Sequence, residues 1–301
     1  MKLIIHPGLH KTGSTYLQHV LNDNHEGLAE QGIYYQRQDS YPAHHHTAWQ
    51  VLEGKPDPLI AMIEQAEELG SDAVIFSSED LEGALFEDRP LRAIDQAVAH
   101  TAIETVEWHV VLRDPGACFA SLFAQLQHHV YADAFQLFYD VMRRGFIHLS
   151  EPTPNAGTPF WYYCFDQARD LARLERRTGA IIHAHDFAAQ SPFPGASILR
   201  HLGALDAIQT LPQDAARNAR PDRDDIIRGF VSRVAEAVPE DADQERILDG
   251  FLNCLENGLE NSSAYAEIVG RQFASSHADA LARFAASGVS PPQDQLVEPA
   301  E

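Results

Sequence analysis

Leu3-Ile4-Ile5-His6-Pro7-Gly8-Leu9-His10-Lys11-Thr12-Gly13-Ser14-Thr15 is the stretch on which the reading of this 301-residue chain turns. Residues 3–6 form a short, apolar, β-branched run, as a buried strand does. Pro7 and Gly8 end it. Leu17, Val20 and Leu21 then share one face of a helix expected over residues 15–21. A strand, a glycine-containing turn and a helix N-terminus together make a phosphate cradle, because unpaired N–H groups and the positive end of the helix dipole face the anion. Gly8 and Gly13 permit close backbone approach, while Ser14 and Thr15 can cap the helix and donate to phosphate oxygens. A plain βα turn accounts for the same residues without a ligand.

Outward from this point the chain alternates. Strands are expected at residues 3–6, 32–35, 73–77, 107–112 and 180–184. The near-continuous apolar runs Ala73-Val74-Ile75-Phe76 and Val110-Val111-Leu112 suggest a parallel sheet covered on both faces. Helical spacing recurs at 59–69, 91–99, 117–126, 134–144 and 165–177. This is the pattern of an open α/β fold. Residues 41–58 and 150–159 are rich in proline and read as loops, the first with at most a helical turn. From residue 222 the pattern is helical, with helices expected at 222–238, 243–255 and 264–286. The expected organisation is an α/β core over 1–221, a helical C-terminal extension of the same domain over 222–286, and a flexible tail over 287–301.

The composition constrains partners. There are 22 Lys+Arg against 44 Asp+Glu, a net charge of −22, which disfavours nucleic acid and anionic membranes. No run approaches the roughly 20 apolar residues of a membrane helix. The N-terminus is too short an apolar run for a signal peptide. Three scattered cysteines suggest neither a disulfide framework nor a zinc knuckle. A reduced, cytoplasmic, soluble protein is the expectation. Only Lys2, Lys11 and Lys55 are lysines, so the one inside the phosphate-loop pattern stands out.

Gly8 and Gly13 have the spacing of the nucleotide-hydrolase loop, but Ser14 stands where that motif puts its lysine. The lysine is instead Lys11, inside the loop, which disfavours an ATP or GTP hydrolase. His10-Lys11-Thr12-Gly13-Ser14-Thr15-Tyr16-Leu17-Gln18 resembles the 5′-phosphosulfate loop of sulfotransferases that use 3′-phosphoadenylyl sulfate (PAPS), in the His-Lys-Thr-Gly form of bacterial members. A second motif fits the same family. Val110-Val111-Leu112-Arg113-Asp114-Pro115, with Ser121 eight residues after the arginine, is similar to its 3′-phosphate element. Arginine supplies a planar fork for phosphate oxygens. Alone, Arg113-Asp114-Pro115 is a capped helix start. The resemblance covers roughly residues 1–220. It implies a parallel sheet like that of phosphate-loop kinases and sulfotransferases, with PAPS as donor, 3′,5′-adenosine diphosphate (PAP) as product, and no metal.

Transfer to a hydroxyl needs a base and positive charge at the leaving phosphate. Glu79 follows the strand at 73–77 and so falls at the carboxyl edge of the sheet, where open α/β folds bind ligands. The resemblance makes it the base, as in glycan-modifying members. The competing reading is a first-turn carboxylate behind a capping serine. Lys11 binds the phosphosulfate or protonates the leaving group. His10, Thr12, Gly13, Ser14 and Thr15 complete the loop, and Arg113 and Ser121 hold the 3′-phosphate. Arg217 and Arg220 are either the late basic segment that covers that phosphate or surface arginines. His44-His45-His46 cannot converge on one ion; they form a polar loop, or His45 and His46 line the acceptor site with Arg37 and Trp49. Trp161-Tyr162-Tyr163 stacks on a ligand or belongs to the core. The expected reaction is transfer to a small-molecule or glycan hydroxyl. A nucleotide-dependent kinase of the same fold and a non-catalytic nucleotide-binding or scaffold protein are the rivals.

Overall fold

Strands β1 (Lys2–His6), β2 (Ile33–Tyr34), β3 (Ala73–Ser77), β4 (Thr105–Leu112) and β7 (Ile181–Asp186) pair in parallel, in the order β2-β3-β1-β4-β7. A two-stranded antiparallel ribbon, β5 (Phe146–Leu149) with β6 (Trp161–Cys164), stands apart from this sheet. The computed structural model describes residues 1–126, 133–150, 157–212, 224, 227, 228, 231, 232 and 243–286.

Alternation along each strand divides the core between the two sheet faces. Leu3 and Ile5, Val74 and Phe76, and Trp108, Val110 and Leu112 face α3 (His45–Leu52), α4 (Asp57–Glu68), α5 (Asp88–Ala99) and α8 (Gln167–Thr178). Ile4, Ile75 and Val111 face α1 (Ser14–Asp23), α2 (His25–Glu30) and α9 (Ala196–His201). A third cluster joins α6 (Pro115–Leu126), α7 (Ala134–Arg144), the β5–β6 ribbon and the C-terminal helix α10 (Gln244–Arg283). At 40 residues, α10 is about 60 Å long at 1.5 Å per residue. It crosses α6 closely: a Cβ added at Gly116 would stand 2.4 Å from the Ala266 oxygen and 3.2 Å from Gly270 Cα. Past its end the chain returns to the sheet, where Ala184 N donates to Phe284 O at 2.6 Å.

The five parallel strands stand where the pattern predicts them, within two residues at each end. Several expectations change. Residues 41–58 hold a real helix, α3, because Ala48, Val51 and Leu52 bury at helical spacing between the prolines. Residues 146–149 and 161–164 form the ribbon, which the apolar pattern did not separate from helix and loop. Leu69, the last residue of the helical spacing expected at 59–69, caps the end of α4 and is exposed. The helices expected at 243–255 and 264–286 are one continuous helix. Most of the helix expected at 222–238, and the tail at 287–301, lie outside the described residues. Among the described residues no helix is long and apolar enough to cross a membrane.

Candidate active site

The loop between β1 and α1 is held in an unusual backbone conformation. Gly8, Lys11 and Gly13 have φ of 52°, 67° and 81°. Glycine takes such values freely, and lysine does not. The space is as restrictive as the dihedrals, since a Cβ at Gly13 would meet Pro194 Cβ at 2.6 Å. The loop curls over a cavity of about 290 Å³ lined by Gly8, His10, Lys11, Gly13, Ser14, Thr15, Tyr16, Glu79, Arg113, Ser121, Gln125, Phe187 and Pro194. It lies at the carboxyl ends of β1, β3, β4 and β7, where an open parallel sheet gathers its loops.

Each cation here has a defined place. Arg113 Nη1 donates to the Lys11 carbonyl at 2.7 Å, and its guanidinium lies over the Phe187 ring at 5.0 Å. Burial lowers the Lys11 pKa; Arg113 repels the charge, while Cys118 and Glu79 work the other way. Asp114 caps α6 by accepting from Ala117 N at 2.7 Å. Arg113-Asp114-Pro115 is thus a capped helix start, and the helix it opens carries Ser121 to the wall of the cavity that Arg113 lines.

Glu79 opens the 3₁₀ helix Glu79–Leu85, whose N-cap is Ser78, with Ser78 Oγ accepting from Asp80 N. Gln18, buried on α1, donates from Nε2 to Glu79 Oε2 at 2.9 Å and to Ser77 Oγ at 3.3 Å. A second cavity, of about 680 Å³, is lined by His10, Gln38, Asp39, Ser40, Tyr41, Ala43, His45, His46, Trp49, Glu79, Asp80, Gln125 and Trp161. The two cavities share His10, Glu79 and Gln125.

Asp80 organises the second cavity. It is 7% exposed. Its Oδ2 accepts from His45 Nδ1 at 2.8 Å and Trp49 Nε1 at 2.7 Å, and its Oδ1 from Trp161 Nε1 at 3.1 Å. Burial alone would raise the Asp80 pKa, but His45, His10 and Trp49 together lower it. For His45 burial likewise opposes charge, and the Asp80 hydrogen bond with the Glu79 and Asp80 charges raises the pKa. His44 is different. Its Nδ1 accepts from Ser77 N at 3.1 Å and its Nε2 donates to Gln36 O at 2.9 Å. Burial lowers its pKa to about 4. It is a core histidine, and the three consecutive histidines serve separate ends.

No protein-family model, curated protein or solved structure matches this chain. The site is therefore read from its own atoms.

Of the residues expected around the donor, Lys11, Gly13, Ser14, Thr15, Arg113 and Ser121 line the first cavity together. His10 lines both, yet its ring is committed elsewhere: Nδ1 lies 2.7 Å from Glu82 Oε2, which also accepts from His10 N at 3.0 Å. Burial opposes its charge, but Glu82, Glu79 and Asp80 raise its pKa. Thr12 lines neither cavity; it is buried and donates to Leu9 O, bracing the loop from inside. His45, His46 and Trp49 line the second cavity, whereas Arg37 is exposed and lines neither. Arg217 and Arg220 lie outside the described residues. Of the aromatic trio, Trp161 faces the second cavity, while Tyr162 and Tyr163 are buried. The sequence reading missed Asp80, Gln18, Gln125, Phe187 and Pro194. Phe187 follows β7 directly, and its place at the carboxyl edge was a usable signal.

Proposed function

We propose that this protein is a sulfotransferase that moves a sulfuryl group from PAPS to an acceptor hydroxyl. The observation that carries this reading is the shared wall. A cation-lined cavity at the phosphate-type loop and a larger aromatic and acidic cavity meet at Glu79. A donor and an acceptor in neighbouring cavities with a carboxylate between them suit in-line transfer.

The loop fits a phosphosulfate group. Lys11 occupies a left-handed backbone position that costs a non-glycine residue about 1–2 kcal/mol. Glycine would remove that cost, so a lysine there points to work for its side chain. Lys11 and the Gly13–Thr15 turn face the phosphosulfate, and Arg113 and Ser121 the 3′-phosphate. Glu79, oriented by Gln18, accepts the hydroxyl proton. As it does so the acceptor oxygen forms a bond to sulfur, and the bond from sulfur to the 5′-phosphate oxygen breaks with its electron pair on that oxygen. Lys11, partly desolvated, stabilises the charge that develops there, and its lowered pKa eases proton donation to it. The acceptor sits among Trp49, Trp161, His45 and His46, an aromatic-lined space suited to a sugar ring or another small hydroxylated molecule.

The test uses the full chain with radiolabelled PAPS and a panel of sugar, small-metabolite, lipid-headgroup and peptide acceptors. Thermal shift with PAP and with Mg-ATP runs alongside. Label transfer together with stabilisation by PAP is expected. Stabilisation by Mg-ATP and not by PAP would replace this reading with a kinase, and PAP binding without transfer to any acceptor would leave a non-catalytic nucleotide binder.

A further inference from the structure

On the sheet face beneath α1 and α9, away from both cavities, β4 and β7 bring together an unusual set of side chains. His109 pairs in register with His183, and Val111 with His185. Glu107 lies one alternation before His109, and α9 ends on His201. One ligand-capable atom from each of Glu107, His109, His183 and His201 lies within 4.8 Å of all the others. Glu107 Oε2 is 3.5 Å from His109 Nε2 and 3.7 Å from His183 Nε2. Those separations exceed a normal hydrogen bond. They approach the roughly 3.3 Å edge of a tetrahedron with metal–ligand bonds near 2.0–2.1 Å. Within these residues Glu107 Oε2, His109 Nε2 and His201 Nδ1 are buried without a hydrogen-bond partner. Glu107 is 5% exposed and His109 fully buried. Buried polar atoms are seldom left in that condition without an ion, a water or a function.

We propose that Glu107, His109, His183 and His201 bind one divalent transition-metal ion of the zinc type. Three imidazoles and one carboxylate, without thiolate, suit zinc or cobalt(II) better than calcium or magnesium, which take oxygen ligands. Four protein ligands fill a tetrahedral shell, so the ion is structural. The surroundings match a metal centre's supporting shell. Lys2 Nζ holds Glu107 Oε1 at 2.8 Å, leaving Oε2 free. His109 Nδ1 lies 3.1 Å from His185 Nε2; with the His109 proton on Nδ1, this contact leaves Nε2 free for the ion. The ion would tie the edge strand β7 and α9 to β4. The segment between β7 and α9 carries Phe187 and Pro194, which wall the cavity at Lys11.

The experiment uses untagged, full-length protein stripped with chelator, then titrated with Zn²⁺ or Co²⁺. One equivalent of bound metal is expected, with a rise of several degrees in Tm and the intense visible absorption of tetrahedral Co(II). His183→Gln and His201→Gln, both at less buried positions than His109, should each weaken metal binding at least tenfold and abolish the Tm rise. The exposed His100→Gln should behave as wild type. Absence of stoichiometric binding, a weak octahedral Co(II) spectrum, or binding indifferent to both variants would overturn the assignment. The wild-type spectrum decides the matter even if a variant fails to fold. Neither PAP nor activity enters the readout, so the outcome is independent of the sulfotransferase reading.

Discussion

Replacing Lys11 with glycine separates the backbone role of this position from its chemical role. Lys11 has φ of 67°, a conformation that costs a side-chain-bearing residue about 1–2 kcal/mol and glycine almost nothing. Glycine loses more backbone freedom on folding, a penalty of roughly 0.5–1 kcal/mol. Lys11→Gly should therefore range from neutral to about 1.5 kcal/mol more stable, a rise of at most a few degrees in Tm for a chain of this size. Lys11→Ala keeps the strain and should be close to neutral. Transfer behaves oppositely. Removing one preorganised positive group from the site of developing charge costs about 10²–10³-fold in turnover, so both variants should fall at least that far. The assay pairs thermal denaturation with initial rates of label transfer from PAPS. A Lys11→Gly protein that is stable and turns over at the wild-type rate would refute the role given to Lys11, and the transferase reading with it. A variant that loses stability by several kcal/mol would instead show that the lysine serves the fold.

Four further outcomes follow from the same geometry. Glu79→Gln keeps an acceptor oxygen for Gln18 and should leave PAP affinity and Tm nearly unchanged, while turnover drops about 10²–10⁴-fold; equal losses in binding and turnover would argue against a base. Arg113→Ala removes a charge-assisted contact worth about 1.5–3 kcal/mol and should weaken PAP binding, read by calorimetry, by roughly tenfold or more. His44 and His45 should oppose each other in the pH dependence of stability. The His44 pKa is lowered to about 4, so stability falls as pH drops below the unfolded value of 6.5, by about 3 kcal/mol by pH 4. The His45 pKa is raised, so its contribution is full below 6.5 and lost as pH climbs through its folded value. His45→Gln should thus steepen the acid loss measured by denaturant titration, and an unchanged slope would contradict the His45–Asp80 pairing. With Asp39, Glu79 and Asp80 around the second cavity, the Michaelis constant of a cationic acceptor should rise with salt, that of a neutral one should stay flat, and anionic acceptors should be poor substrates.

How much could be read in advance depended on whether a feature was local. The β1 run, the two glycines and the apolar face of α1 lie within about twenty residues, and they carried the loop and its cavity. Arg113 and Ser121 were legible for the same reason, through one strand end and two helix turns. What failed was set by tertiary packing. Asn257-Gly258 and Asn261-Ser262-Ser263 are poor helix formers and look like a break, yet α10 runs through them. Leu255 and Ser262 are buried there, and Ser262 Oγ donates back to Leu259 O at 3.0 Å. The prolines around residues 42–58 hid α3 in the same way. Asp80 was next to a residue already singled out, but its role needs α3, the 3₁₀ helix and β6 to converge. Glu107, His109, His183 and His201 come from three separated elements, and no spacing along the chain would have joined them.

The separation of charge in the site also bears on how a chain with a net charge of −22 could take the polyanionic donor proposed for it. Free charges farther away than about 8–10 Å are largely screened at physiological salt, so the total charge governs approach far more than bound contacts. Close in, the signs are sorted. Lys11 and Arg113 stand at the loop cavity, where like charge and desolvation combine to lower the Lys11 pKa. Asp39 and Asp80 stand at the other cavity, with His45 against Asp80. Glu79 belongs to both walls. On the sulfotransferase reading the charge of the donor is therefore met locally, by Lys11 and Arg113, while the acidic groups at the second cavity bear on which acceptors can approach.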